Sequence, residues 1–138
     1  MSATTATLAL TDQSKATVRT AAYGAVSLLA AASDKPGKAA GAGTAALLSA
    51  TGEIGHVLNA KSKDIHLTGK TVAALADHVL PALTAAATLL DAQNPAEATN
   101  FRTTILIAAE AAAATSRPGQ PVVAEMTRKI AAALHTGN

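Results

Sequence analysis

The residues best suited to chemistry in this sequence are three histidines that lie between positions 49 and 80, each with a carboxylate nearby. The pairs are Glu53 with His56, Asp64 with His66, and Asp77 with His78. Imidazole and carboxylate groups hold metal ions or transfer protons when they converge on one point. Whether these pairs converge depends on the elements that carry them.

Glu53 and His56 form the pattern E-x-x-H, which places both side chains on one face of a helix. Two such pairs, with two further glutamates, hold the metals of di-iron helical bundles. No second E-x-x-H occurs in this sequence. The pair also lies away from the apolar stripe through Leu47, Ile54 and Leu58. We therefore expect Glu53 and His56 to be a solvated pair, not a buried metal centre.

The other two histidine pairs also favour the surface. Asp77 and His78 are adjacent, so their side chains diverge by about 100° on a helix, with Asp77 on the polar face and His78 at its edge. Asp64 and His66 belong to a polar loop, where local hydrogen bonds of the aspartate are expected. A surface metal site remains as a lesser alternative. It would draw on Glu53, His56, His66 and His78.

A second polar stripe, at i and i+4 spacing, runs through Lys15, Arg19 and Tyr23. Two cations and a phenol on one helix face could bind an anion or the acidic surface of a partner. The alternative is a solvated edge, with Arg19 stacked over Tyr23. Both interpretations place the stripe outside the core.

No sequence motif indicates catalysis. The phosphate-binding pattern G-x-x-x-x-G-K-S/T, the nucleophile pattern G-x-S-x-G and the zinc pattern H-E-x-x-H are all missing, and cysteine is not used. We therefore predict a protein that is not an enzyme and that uses no cofactor.

Composition limits the class of protein further. The 138 residues include 49% hydrophobic but only 1% aromatic side chains, and alanine is abundant. The 11 basic and 9 acidic residues are not clustered, which disfavours nucleic acid as a partner. The sequence shows neither a secretion signal nor a long uninterrupted apolar run. It therefore predicts a cytoplasmic protein that does not enter a membrane. The frequent use of alanine, glycine and threonine indicates a GC-rich coding sequence and predicts a bacterial source.

Helical periodicity predicts five helices, over residues 12–33, 38–59, 68–92, 94–115 and 121–135. No segment alternates with period two. The sequence thus predicts an all-α, up-and-down antiparallel bundle of four to five helices with an alanine-rich core and no sheet. Residues 1–10 are expected to be a flexible N-terminal segment, and residues 11–138 a single domain.

Two features interrupt this helical pattern. Pro81 should kink the third helix from its polar face. The second helix contains four glycines, at positions 41, 43, 52 and 55. They indicate either close approach of a neighbouring helix or irregular first turns around Gly41 and Gly43.

The foremost functional hypothesis is a module that self-associates, as a homodimer, or that binds another protein. Apolar residues outside the main core faces support this hypothesis: Val26, Leu106 and Ile107. The second hypothesis is a carrier or sensor that holds a small apolar ligand between helices, in a cavity opened by Pro81 and the glycines. The third is metal or acid–base chemistry at the histidines.

Overall fold

The computed structural model of the protein describes residues 10–60 and 70–135, and these residues form a bundle of six α-helices without strands. The helices are α1 (Asp12–Ala32), α2 (Pro36–Leu48), α3 (Gly52–Asn59), α4 (Val72–Gln93), α5 (Pro95–Ala114) and α6 (Pro121–His135). The prediction of an all-α helical bundle is confirmed. The predicted flexible segment lies outside the described residues except for Leu10, which is buried against the core.

Contacts between helix ends define the directions of the helices. Asp34, after α1, pairs with Arg117, after α5, so these two helices end on the same side. Arg102, near the start of α5, reaches Asp91 near the end of α4 and Leu134 near the end of α6. Thus α1 and α5 run in one direction, and α4 and α6 run in the other. The longest interfaces are those of α1 with α4 and of α2 with α5.

The prediction of one continuous second helix is wrong, because this segment is divided into α2 and α3. The break lies at Gly52, whose φ of +73° is a left-handed conformation that residues with a side chain rarely adopt. Gly41 and Gly43 lie inside α2, so the alternative of irregular turns there is also wrong. Six helices result where four or five were predicted.

Close helix approach does explain Gly43. A Cβ atom at this position would lie 2.8 Å from both Cγ atoms of Val26 in α1. Val26 is correspondingly buried, with 3% of its surface exposed. The prediction that Val26 is surplus surface is therefore wrong: the missing side chain of Gly43 makes room for it.

The core consists of the apolar faces that periodicity predicts. α1 contributes Val18, Leu28 and Leu29, α4 contributes Val79 and Leu83, α5 contributes Phe101 and Ile105, and α6 contributes Ile130 and Leu134. Buried alanines occur in α1, α2, α4, α5 and α6. Small side chains let the helices approach closely, as expected from the composition.

Helix starts are capped by short polar side chains. The hydroxyl of Thr11 accepts from the backbone of Ser14, and the hydroxyl of Thr71 accepts from that of Ala74. The Asn94 side chain accepts from Ala96, with Pro95 as the first residue of α5. These are the contacts that N-cap residues make with otherwise unpaired amides.

Helix α4 is the longest element and contains Pro81, which is exposed while the helix continues on both sides. Among the described residues, α4 is the one helix long and apolar enough to cross a membrane by length and composition. Its Leu75, Val79 and Leu83 are buried within the bundle, where α4 packs against α1, α5 and α6.

Candidate functional site

Two of the three residues in the stripe on α1 bind the C-terminal end of α3. Nη1 of Arg19 donates to the carbonyl of Val57 at 3.3 Å, and the hydroxyl of Tyr23 donates to that of Leu58 at 2.8 Å. Carbonyls in the last turn of a helix lack intrahelical partners, and a positive charge is favourable there. Arg19 is only 6% exposed, so the alternative of a solvated edge is wrong for this residue.

The N-terminal end of α3 is held by α5. The carboxylate of Glu97 accepts from the backbone N–H of Ile54 at 3.1 Å, and the Asn100 amide donates to the carbonyl of Thr51 at 2.9 Å. Glu97 lies three residues after Asn94, the N-cap of α5, a position from which a glutamate can cap its own helix. It caps α3 because Gly52, which has no side chain, lies directly beneath Glu97 and Asn100. Both ends of this eight-residue helix are thus fixed by other helices.

This placement of α3 brings together residues that the sequence assigned to two separate groups. Lys15 and Arg19 of α1 line one pocket with Glu53 and His56 of α3. We call it the α1–α3 pocket; its volume is about 390 Å³. His56 is exposed, whereas Lys15 and Glu53 are half-buried.

The remaining histidines do not join this pocket in the part of the chain that the structure describes. His78 is half-buried on α4, and the neighbouring Asp77 is exposed. No three His, Cys, Asp or Glu side chains within residues 10–60 and 70–135 are placed to share a metal ion. His66 and Asp64 lie outside the described residues, so a surface metal site that includes His66 stays a prediction.

Burial raises the pKa of the Tyr23 phenol, and the positive charge of Arg19 opposes this rise to a smaller extent. Tyr23 therefore stays neutral at physiological pH and keeps its proton for the carbonyl of Leu58. We expect Tyr23→Phe to lower the free energy of unfolding by about 1 kcal/mol, the typical net value of one hydrogen bond. Urea denaturation followed by circular dichroism measures this change. A stability equal to that of the wild type would show that the hydrogen bond contributes nothing.

A second concave surface lies between the C-terminal half of α5 and α6, next to the turn of residues 115–120 that joins the two helices. We call it the α5–α6 groove; its volume is about 690 Å³. Leu106 and Val123 line it from the two helices, with Glu110 on the α5 side and Arg128 on the α6 side. Leu106 was predicted to leave the core face, and it is half-buried here.

Two large apolar side chains next to the groove residues are exposed to solvent. Ile107, which follows Leu106, is 53% exposed, and Val122, which precedes Val123, is 48% exposed. Ile107 is therefore outside the core, as its position in the helical pattern predicted. Sequence periodicity did not identify Val122, because a single valine at a helix start has no pattern to violate.

The described residues therefore form a small all-α bundle that carries, among its concave surfaces, a polar pocket and a largely apolar groove. Comparison with protein-family models, with curated proteins and with solved structures finds no match to the chain. The two surfaces themselves are therefore the basis for assigning a function.

Proposed function

We propose that the protein is a cytoplasmic, non-enzymatic module that self-associates through the α5–α6 groove. The observation that carries this proposal is an apolar groove with an exposed apolar side chain, Val122, beside it. A two-fold interface requires each copy to present both a surface and its complement. In such a dimer, Val122 of each copy would dock in the groove of the other copy, which meets that requirement.

The charges of the groove support a second copy as the occupant. Glu110 makes no ion pair with any residue of the described ranges. Arg128 on the opposite wall pairs with Glu125 of its own helix, at the surface, and with no other carboxylate of residues 10–60 and 70–135. Exposed pairs of this kind contribute little and are easily exchanged. Because both signs of charge border one groove, two copies related by a two-fold axis can match Glu110 to Arg128. A stable dimer would bury roughly 1,600 Å² in total.

A carrier for a small apolar ligand is the second candidate, since about 690 Å³ falls within the usual range for ligand pockets. Several residues that line the groove are exposed, among them Ala124 and Arg128. The groove would therefore cover a small molecule less completely than the buried cavities that ligands usually occupy. The carrier hypothesis also expected a cavity at Pro81 and at the glycines of the second predicted helix. Val26 instead fills the space at Gly43, and Pro81 is exposed.

Ala124→Arg tests the dimer directly, because Ala124 is an exposed helical residue that lines the groove. An arginine there fills the groove without entering the core. We expect the dissociation constant, from sedimentation velocity over a dilution series, to rise at least tenfold. Ala85→Arg is the matched control, since Ala85 is an exposed alanine on α4. It should leave the dissociation constant unchanged.

A charge exchange tests the arrangement of the two copies. Glu110→Arg and Arg128→Glu should each weaken the dimer, and the two changes together should restore it, because opposite charges again face each other. A chain that remains monomeric at millimolar concentration would overturn self-association. If it then co-purifies with an apolar small molecule in native mass spectrometry, the carrier function is supported.

A further inference from the structure

The α1–α3 pocket is polar, in contrast to the α5–α6 groove. Four of its lining residues carry ionisable side chains: Lys15, Arg19, Glu53 and His56. Val57 is an apolar residue of the same lining. Its volume of about 390 Å³ places the pocket within the usual range for small-molecule sites, in which a few polar or charged groups fix the orientation of the ligand.

Lys15 and Glu53 do not neutralise each other within this pocket. Lys15 and Glu53 have opposite charge and line the same pocket, yet neither forms an ion pair with any residue of the described ranges. Arg19 adds a second positive charge, which a guanidinium retains at any physiological pH. The pocket therefore has an ammonium and a carboxylate available for a ligand, beside a fixed guanidinium.

We infer that the α1–α3 pocket binds a small organic acid with a hydrogen-bond donor next to its carboxylate, that is, a hydroxycarboxylate or an aminocarboxylate. Lys15 donates to the ligand carboxylate, in the positive field of Arg19. The carboxylate of Glu53 accepts from the hydroxyl or ammonium group of the ligand. Val57 contacts the carbon chain.

The position of Glu53 gives the site its selectivity. If the ligand has no donor, the partly buried carboxylate of Glu53 gains no hydrogen bond and faces the negative charge of the ligand, which is unfavourable. Inorganic phosphate has no carbon chain for Val57 to contact, so it should bind less tightly than malate or glutamate. The pocket should therefore prefer malate or glutamate to succinate, which is similar in size but has no donor.

Isothermal titration calorimetry of the full chain with L-malate, L-glutamate, succinate and inorganic phosphate tests this inference. We expect malate or glutamate to bind at least tenfold more tightly than either succinate or phosphate. A stronger response to malate indicates a hydroxyl-bearing ligand, and one to glutamate an amino-bearing ligand. No binding of either compound at 10 mM, on the order of the weakest affinity of interest, would overturn the inference.

Two substitutions locate the binding in this pocket. Lys15→Gln should raise the dissociation constant of the preferred ligand about tenfold, the effect of losing one charge-assisted hydrogen bond. Lys38→Gln, at an exposed lysine of α2, should change nothing. Glu53→Gln should remove most of the difference between malate and succinate. Binding unaffected by Lys15→Gln, or selectivity retained in Glu53→Gln, would place any site elsewhere.

Discussion

Replacing Gly55 by alanine should lower the free energy of unfolding by about 3 kcal/mol, the upper part of the range for overpacking a close contact. Gly55 is buried in α3, and a Cβ atom there would lie 2.4 Å from the carbonyl oxygen of Ala50. The obstacle is backbone, which cannot rotate away as a flexible side chain would. The Ala50 amide is itself bonded to the carbonyl of Leu47, so relief requires moving the whole turn between α2 and α3.

Gly41→Ala is the matched control for this substitution. Gly41 also lies inside a helix, but a Cβ atom there would meet nothing within 4 Å. We expect this variant to be more stable than the wild type by about 0.5–1 kcal/mol, because alanine restricts the unfolded chain more than glycine does. Urea denaturation of both variants gives the two values. Equal effects of the same sign would show that the contact at Gly55 is not the cause.

Arg102→Ala should lower the free energy of unfolding by about 2–3 kcal/mol, because it leaves two partly buried acceptors without their donor. Nε of Arg102 donates to the carbonyl of Leu134 at 2.7 Å, and its two Nη atoms donate to the Asp91 carboxylate at 3.2 and 2.5 Å. The Arg102 side chain is only 12% exposed. One residue thus joins α4, α5 and α6 at a single end of the bundle.

The Asp91 partner makes this contribution dependent on pH. The hydrogen bond from Arg102 lowers the pKa of the Asp91 carboxyl below its usual value of 3.8. On acidification the unfolded chain therefore binds this proton before the folded chain does. The stabilisation is complete above about pH 5 and is lost as the pH falls through the lowered pKa of the folded state.

Denaturation curves between pH 7 and pH 3 measure this effect. We expect Asp91→Asn, Arg102→Ala and the double variant to lose stability less steeply than the wild type over this range. A double-mutant cycle then isolates the energy of the pair from the bond to Leu134. A cycle with no coupling energy at pH 7 would show that the ion pair contributes nothing.

Helical periodicity identified the buried faces, because apolar residues that recur about every 3.6 positions lie on one face of a helix, and that face packs against the core. Val18, Leu28 and Leu29 in α1 are examples, and all three are fully buried. The helix starts were equally readable at Asn94 and Pro95, where capping depends on neighbouring residues alone. Interactions between residues that are adjacent in sequence can therefore be predicted from the sequence alone.

The division of α2 from α3 was not readable, because glycine is compatible with both a helix and a left-handed turn. Contacts with α5 stabilise the left-handed turn at Gly52, because Glu97 and Asn100 bind the backbone at the start of α3. The role of Arg19 and Tyr23 was hidden for a similar reason. Their acceptors are backbone carbonyls, which every residue possesses and which no sequence pattern distinguishes.

The sequence by itself determined the helical class, the inward faces and the types of residue available for binding. Only the tertiary structure decided that Lys15 and Glu53 share a pocket and that Leu106 and Val123 border one groove. Spacing along a helix reports which residues share its face, but it contains no information about which helix lies opposite. That depends on the summed packing of all the helices, including the close approach of Val26 to Gly43.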